Sequence, residues 1–131
     1  FGGNPVACAA AMAVLEEIQQ RNLQANAAKI GALAAKALAE LASKYGVIGD
    51  VRQSGMVFGV EFLKDKTTLA PASGFADQVV EAMRDRGVLL PDLGRHKNPL
   101  TTRPPMTFSE KHLGLLVQTL DEVLAELAPQ S

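Results

Sequence analysis

The chain has 131 residues and a formal net charge of −1, from 13 basic and 14 acidic residues. That length fits one domain with one core, since a chain of this size can bury about two-thirds of the surface its unfolded form exposes. Charge of both signs is spread evenly, which excludes a basic patch for nucleic acid or an anionic membrane, and the single cysteine, Cys8, excludes a disulfide framework and a cysteine-based zinc site.

Asn4 and Pro5 read as a helix start. Asn accepts the orphan N–H groups as N-cap, and Pro at the first helical position loses no hydrogen bond. The first helix is expected from about Pro5 to Arg21, with Cys8 as a small buried apolar residue. A second helix from about Leu23 carries Ile30, Leu33, Ala34, Ala37, Leu38 and Leu41 at three- and four-residue steps and stops near Gly46. Its run from Ala25 to Ala42 contains Lys29, Lys36 and Glu40, too many charges for a membrane span. Residues 1–15 lack the basic start of a signal peptide. A cytoplasmic protein is expected.

Next, "VIGDVRQSGMVFGVEFL" gives two β-rich runs broken at Ser54-Gly55, a hairpin that places Met56, Phe58, Val60 and Phe62 on one face. After the loop "KDKTTLAPASG", Ala76, Val79, Val80 and Met83 form a short amphipathic helix ended by Gly87. "VLLPDL" reads as a strand whose Pro91 favours an edge. The turn "GRHKN" leads into the extended "PLTTRPP", stopped by its prolines. Thr107 and Glu110 read as a capping box for a last helix striped by Leu113, Leu116, Val117, Leu120, Leu124 and Leu127. The expected fold is α+β, a small, mostly antiparallel sheet with helices packed on one face, in the order α-α-β-β-α-β-β-α.

The residues offer little chemistry by themselves. There is no P-loop, no Rossmann glycine fingerprint and no histidine pair at metal spacing, so no metal site is expected. His96 and His112 read as solvated surface, and Asp50, Glu61 and Asp65 as surface charges around the hairpin. Gly2-Gly3-Asn4 could let backbone N–H groups approach a phosphate, or could be a flexible turn with a cap.

Four stretches, "FGGNPVACAAAMAVLEEI", "IGDVRQSGMVFGVEF", "DRGVLL" and "NPLTTRPPMTFSEKHLGLL", in that order and at these intervals, resemble the C-terminal segment of class III, pyridoxal-phosphate-dependent aminotransferases of fold type I. The resemblance covers essentially the whole chain. It implies that residues 1–22 are a helix connecting from a missing large domain and that residues 23–131 are the small domain. It places Phe1, Gly2 and Gly3 beside the pyridoxal 5'-phosphate of the partner subunit in a homodimer, with backbone N–H groups as donors. The threonine that usually precedes this turn is absent. The family's Schiff-base lysine, and the aspartate that pairs with the pyridine nitrogen, lie in the missing large domain. None of Lys29, Lys36, Lys44, Lys64, Lys66, Lys97 and Lys111 matches that lysine, so no catalytic residue is expected here and the chain alone is expected to be inactive.

Members of the family commonly carry a basic residue three positions before the two prolines, where it grips a substrate carboxylate. That position is Thr101 here, and Arg103 directly precedes Pro104. Strand alternation points Thr101 and Arg103 to the same side, so Arg103 could take the role from one step further along, or could be a surface or interdomain salt-bridge residue. The resemblance implies a parent enzyme that transfers an amino group between an amino acid or amine and a 2-oxo acid, with an ending that leans toward alanine–glyoxylate-type transaminases and amino-alcohol-phosphate lyases. Lyases and decarboxylases share this scaffold. A free-standing α+β interaction or regulatory module is the reading from another class.

Overall fold

The computed structural model describes residues 2–91 and 94–128. The first helix, α1 (Pro5–Gln20), starts as its sequence dictates, with Pro5 in the first turn and Asn4 Oδ1 accepting from the backbone N–H groups of Val6 (2.9 Å) and Ala7 (3.3 Å). It buries no side chain. Cys8 is exposed rather than buried, because the small residues of α1 meet too little of the domain to be covered. Asn22, in the left-handed conformation (φ 49°), turns the chain into α2 (Leu23–Lys44). The buried stripe of α2 is Ile30, Gly31, Ala34, Leu38 and Leu41. Leu33 falls off it and is exposed, since Gly31 occupies the turn that runs closest to the sheet.

Strands β1 (Ile48–Ser54) and β2 (Val57–Asp65) form the expected antiparallel hairpin, with Val51 opposite Val60 and Ser54 opposite Val57. On the other edge of β2 lie β3 (Ala70–Pro71) and β4 (Pro99–Thr102), both antiparallel to it, with Gly59 opposite Thr101. Phe58, Val60 and Phe62 of β2 and Leu100 of β4 face the core. There they meet α2, α3 (Ser73–Asp85) and α4 (Glu110–Leu127), which contribute Ile30, Leu38, Val79, Met83, Leu116, Leu120 and Leu124. Phe75 stands edge-on to Phe62, ring centroids 5.1 Å apart. Burying an aromatic side chain such as Phe62 is worth about 3–5 kcal/mol against alanine.

The α+β plan holds, with all core helices on one face of the sheet. Two details depart from the expected order. The described part of "VLLPDL", residues 88–91, runs beside β4 but forms no ladder. Pro91 has no N–H to give, and the contact to β4 is the Thr101 N–H donating to the Pro91 carbonyl at 3.4 Å. Residues 92 and 93 lie outside the described residues. The short strand β3, in turn, emerges from the loop after β2, where the Asp65 carboxylate accepts from Thr67 N–H (2.7 Å) and the Thr68 hydroxyl (3.0 Å) and folds the chain back against Leu63.

The last helix also starts elsewhere than expected. Its N-cap is Ser109, and the capping box pairs Ser109 with His112 instead of Thr107 with Glu110. His112 Nδ1 accepts from the Ser109 N–H at 3.2 Å, and Ser109 Oγ accepts from the His112 N–H at 3.4 Å. A Pro105–Phe108 turn, closed by Phe108 N–H to the Pro105 carbonyl at 2.9 Å, carries the chain past Thr107 before the helix begins.

Candidate functional site

A groove of about 400 Å³ opens where the end of β4 meets the start of α4. Its walls are apolar: Val88, Leu89 and Leu90 on one side, Phe108, Leu115 and Leu116 on the other. Polar groups enter from Thr101, Thr102, Arg103 and His112, and no described Asp or Glu lines it. Both substrate residues expected from sequence therefore reach the same cavity. Thr101 stands opposite Gly59 in β4, Arg103 follows just past the strand's end at Thr102, and Thr101, Thr102 and Arg103 all line the groove.

Arg103 and Arg95 differ from the other four arginines of the chain, and of these two only Arg103 lines the groove. Arg21, Arg52, Arg84 and Arg86 each bind a carboxylate of the chain. Arg103, which is exposed, makes no ion pair or hydrogen bond with any described residue. A guanidinium beside apolar walls, two threonine hydroxyls and no competing carboxylate is suited to an anion with an apolar body. His112 keeps Nδ1 engaged in the cap, so in its neutral form the ring carries its proton on Nε2.

The Arg103 segment is held from behind. Pro104 and Pro105 restrict the backbone, and Asn26 of α2 donates Nδ2 to the carbonyls of Met106 (2.7 Å) and Phe108 (3.0 Å). One turn further along α2, Lys29 pairs with Glu110 at 2.6 Å. Sequence reasoning missed Asn26. It sits 80 residues from its first partner, and nothing in the local pattern of α2 marks it.

A second trough, of about 440 Å³, crosses the outer face of the sheet and shares Thr101 with the groove. Its floor is Gly59, where a Cβ would collide with the Leu100 carbonyl. Along its rim Arg52 binds Asp50 (2.6 Å) and Glu61, and these two carboxylates, Asp50 foremost through its hydrogen bond, raise the guanidinium's proton affinity further. Buried Asn98 completes the network by donating to Glu61 Oε1 and to the Phe62 carbonyl, both at 3.0 Å.

The glycine turn stands apart from both grooves. Phe1 lies outside the described residues. Gly3 has φ 77°, and no heavy atom comes within 4 Å of the Cβ position of Gly2 or Gly3, so the turn is open. The Asn4 side chain already satisfies Val6 and Ala7 N–H, which leaves the backbone N–H groups ahead of the helix as the donors for an anion. Among the described residues no three His, Cys, Asp or Glu side chains cluster to hold a metal, and no helix is long and apolar enough to cross a membrane.

Comparison with known proteins places this fold. The chain is 37% identical over 125 residues to ethanolamine-phosphate phospho-lyase homolog 1 of Caenorhabditis elegans, covering 95% of this chain and 27% of that protein. It is 34% identical over 127 residues to the mitochondrial alanine–glyoxylate aminotransferase 2 homolog 2 of Arabidopsis thaliana, covering 97% and 27%. Among solved structures, a phospholyase from Arthrobacter in complex with phosphoethanolamine superposes with a TM-score of 0.91 at 38% identity, over 95% of this chain and 30% of that one. A PLP-bound amine transaminase from an uncultivated Pseudomonas species gives 0.88 at 35%, over 96% and 28%. The chain thus spans under a third of the length of these relatives. The family model for class-III aminotransferases matches residues 1–124, and with the fold and the sequence agreeing along nearly its whole length, the chain belongs to the class-III aminotransferase family.

Proposed function

We propose that this chain is the C-terminal small domain of a pyridoxal-phosphate-dependent aminotransferase that moves an amino group between an amino acid or amine and a 2-oxo acid. Residues 23–131 form the domain, residues 1–22 connect it to a large domain, and the enzyme works as a cytoplasmic homodimer. The observation that carries the reading is Arg103, unpaired among the described residues, in a groove that no described Asp or Glu lines, within a fold matched along nearly the whole chain by a PLP-bound transaminase.

In this reading Arg103 holds the substrate carboxylate, Thr101 donates its hydroxyl beside it, and the apolar walls exclude water from the substrate's body. The open turn fits a phosphate, with Phe1, Gly2 and Gly3 presenting backbone N–H groups to the cofactor of the partner subunit. When bound, the cofactor supplies the electron sink for the chemistry. The lysine that anchors it belongs to the large domain, so the chain alone is inactive.

The test is amino transfer by the full-length protein, assayed with carboxylate-bearing and carboxylate-free amines. Replacing Arg103 with Ala is expected to lower kcat/KM for the carboxylate-bearing donor about ten- to a hundredfold, the loss of about 1.5–3 kcal/mol typical of a charge-assisted bond. Unchanged kinetics with every carboxylate donor would return Arg103 to a structural role. The chain alone, mixed with the cofactor and treated with borohydride, should show no stoichiometric adduct at any one lysine.

A second reading, a lyase acting on an amino-alcohol phosphate, is favoured by two observations: Thr101 stands where a base is usual, and the Arthrobacter phospholyase superposes at 0.91. Arg103 and the threonine hydroxyls would then receive a phosphate. Release of inorganic phosphate from phosphoethanolamine without amino transfer would establish it.

A further inference from the structure

The geometry points to Asn26 as the residue that positions Arg103 for its anion, an inference that rests on the assignment of Arg103 to the substrate's carboxylate. Asn26 lies on the first turn of α2, remote in sequence from the groove, and its half-buried amide is committed to it. Both carbonyls it binds, Met106 and Phe108, belong to the turn between the double proline and α4. Phe108 is itself a wall of the groove, and its ring lies 5.3 Å from that of His112, another lining residue.

The path from Asn26 to Arg103 has few soft joints. From Met106 back to Arg103 the backbone passes through Pro105 and Pro104, whose φ angles are fixed by their rings. From Phe108 forward it enters the Ser109 cap of α4 at once. Fixing the Met106 and Phe108 carbonyls therefore fixes the height at which Arg103 leaves β4 and the depth of the Phe108 wall. The two prolines have no N–H, the Phe108 N–H is spent on the Pro105 carbonyl, and the Asn26 amide offers two hydrogens in one plane to the Met106 and Phe108 carbonyls. Replacing it leaves two carbonyls without their partner and lets the segment tilt.

The test uses the 131-residue chain and two probes of one shape, 4-phenylbutyrate and the uncharged 4-phenylbutyramide, titrated by NMR. Four proteins are compared: wild type, Asn26→Ala, Arg103→Ala and the double variant. The expected result is that wild type prefers the carboxylate and that Asn26→Ala weakens the carboxylate about tenfold while barely changing the amide, with the double variant no weaker than Arg103→Ala. Asn26→Gln, which keeps the donor on a longer arm, should restore part of the preference, and Asn26→Ser serves if the Ala variant does not fold. Equal weakening of both probes by Asn26→Ala, or additive losses in the double variant, would reduce Asn26 to a structural anchor and overturn the inference. If Arg103→Ala leaves the carboxylate preference intact, the assignment of Arg103 fails first, and that result is distinct from the failure of Asn26.

Discussion

The Tyr45 hydroxyl donates to Asp121 Oδ1 at 2.6 Å and ties the end of α2 to the middle of α4. It also reaches the Asp121 carbonyl at 3.0 Å, while Lys44 Nζ donates to both carboxylate oxygens at 2.6 and 2.8 Å. The Lys44 bond first and the Tyr45 bond second hold the Asp121 carboxyl below the usual carboxylate range. The same Asp121 contact raises Lys44, and burial, followed by the Asp121 bond, raises Tyr45.

Stability should therefore fall at both ends of the pH scale. A lowered Asp121 pKa contributes stability that is present above its unfolded value of about 3.9 and is lost as pH falls through the folded one. The raised Lys44 and Tyr45 values contribute stability present below about 10, lost as pH rises through their folded values. Urea unfolding across pH 2–11 should show both limbs in wild type and flatter limbs in Asp121→Asn. At neutral pH, Tyr45→Phe should cost about 1–2 kcal/mol.

Two helical glycines should respond oppositely to alanine. A Cβ at Gly31 would meet the Gly55 carbonyl and the Gln53 amide, so Gly31→Ala must push α2 off the hairpin turn, at a cost of about 1–3 kcal/mol. A Cβ at Gly114, exposed in α4, meets nothing within 4 Å. Gly114→Ala should stabilise by about 0.5–1 kcal/mol through helix propensity. Thermal unfolding of the two variants beside wild type decides the sign of each.

The corrected start of α4 is testable in the same way. Ser109→Ala removes the cap and should cost about 1 kcal/mol. Thr107→Ala should change stability by less than about 0.5 kcal/mol, because the threonine is exposed and takes no part in the cap. Equal effects at the two positions would restore the box expected from sequence.

That start shows where sequence reading loses resolution. Periodicity gave the helices, the hairpin and the face of Phe58, Val60 and Phe62, because those patterns are local and driven by burial. Thr-x-x-Glu and Ser109 with His112 compete within six residues, and the choice is made by the Pro105–Phe108 turn and by Asn26 from another helix. Strand β3 depends likewise on the Asp65 turn, and the loss of the strand at 88–91 on a ladder that Pro91 cannot complete. In the candidate site, Thr101 and Arg103 were singled out by the family resemblance and line one groove with Thr102, whereas Asn26 and the His112 cap had no local signal in the sequence.

The uncovered helix makes a further prediction. Val6, Met12, Val14 and Leu15 of α1 are 79%, 57%, 59% and 53% exposed, and an isolated helix of this length is marginal in water. The chain alone should either self-associate through α1 or show α1 amides exchanging far faster than those around Leu116 and Leu120. Sedimentation at several concentrations, with residue-level amide exchange, reads both. A strict monomer with α1 protected as well as α4 would count against the connecting-helix role.

Among the described residues every buried side chain lies at or beyond Leu23, and Asn22 is the left-handed joint just before it. A recombination breakpoint at that joint cuts through no core packing. Chimaeras of homologous enzymes should tolerate a crossover there, because residues from 23 onward travel as a cassette with their own interior. A crossover between β1 and β2 would instead divide the packing of Phe58 and Phe62 between two parents.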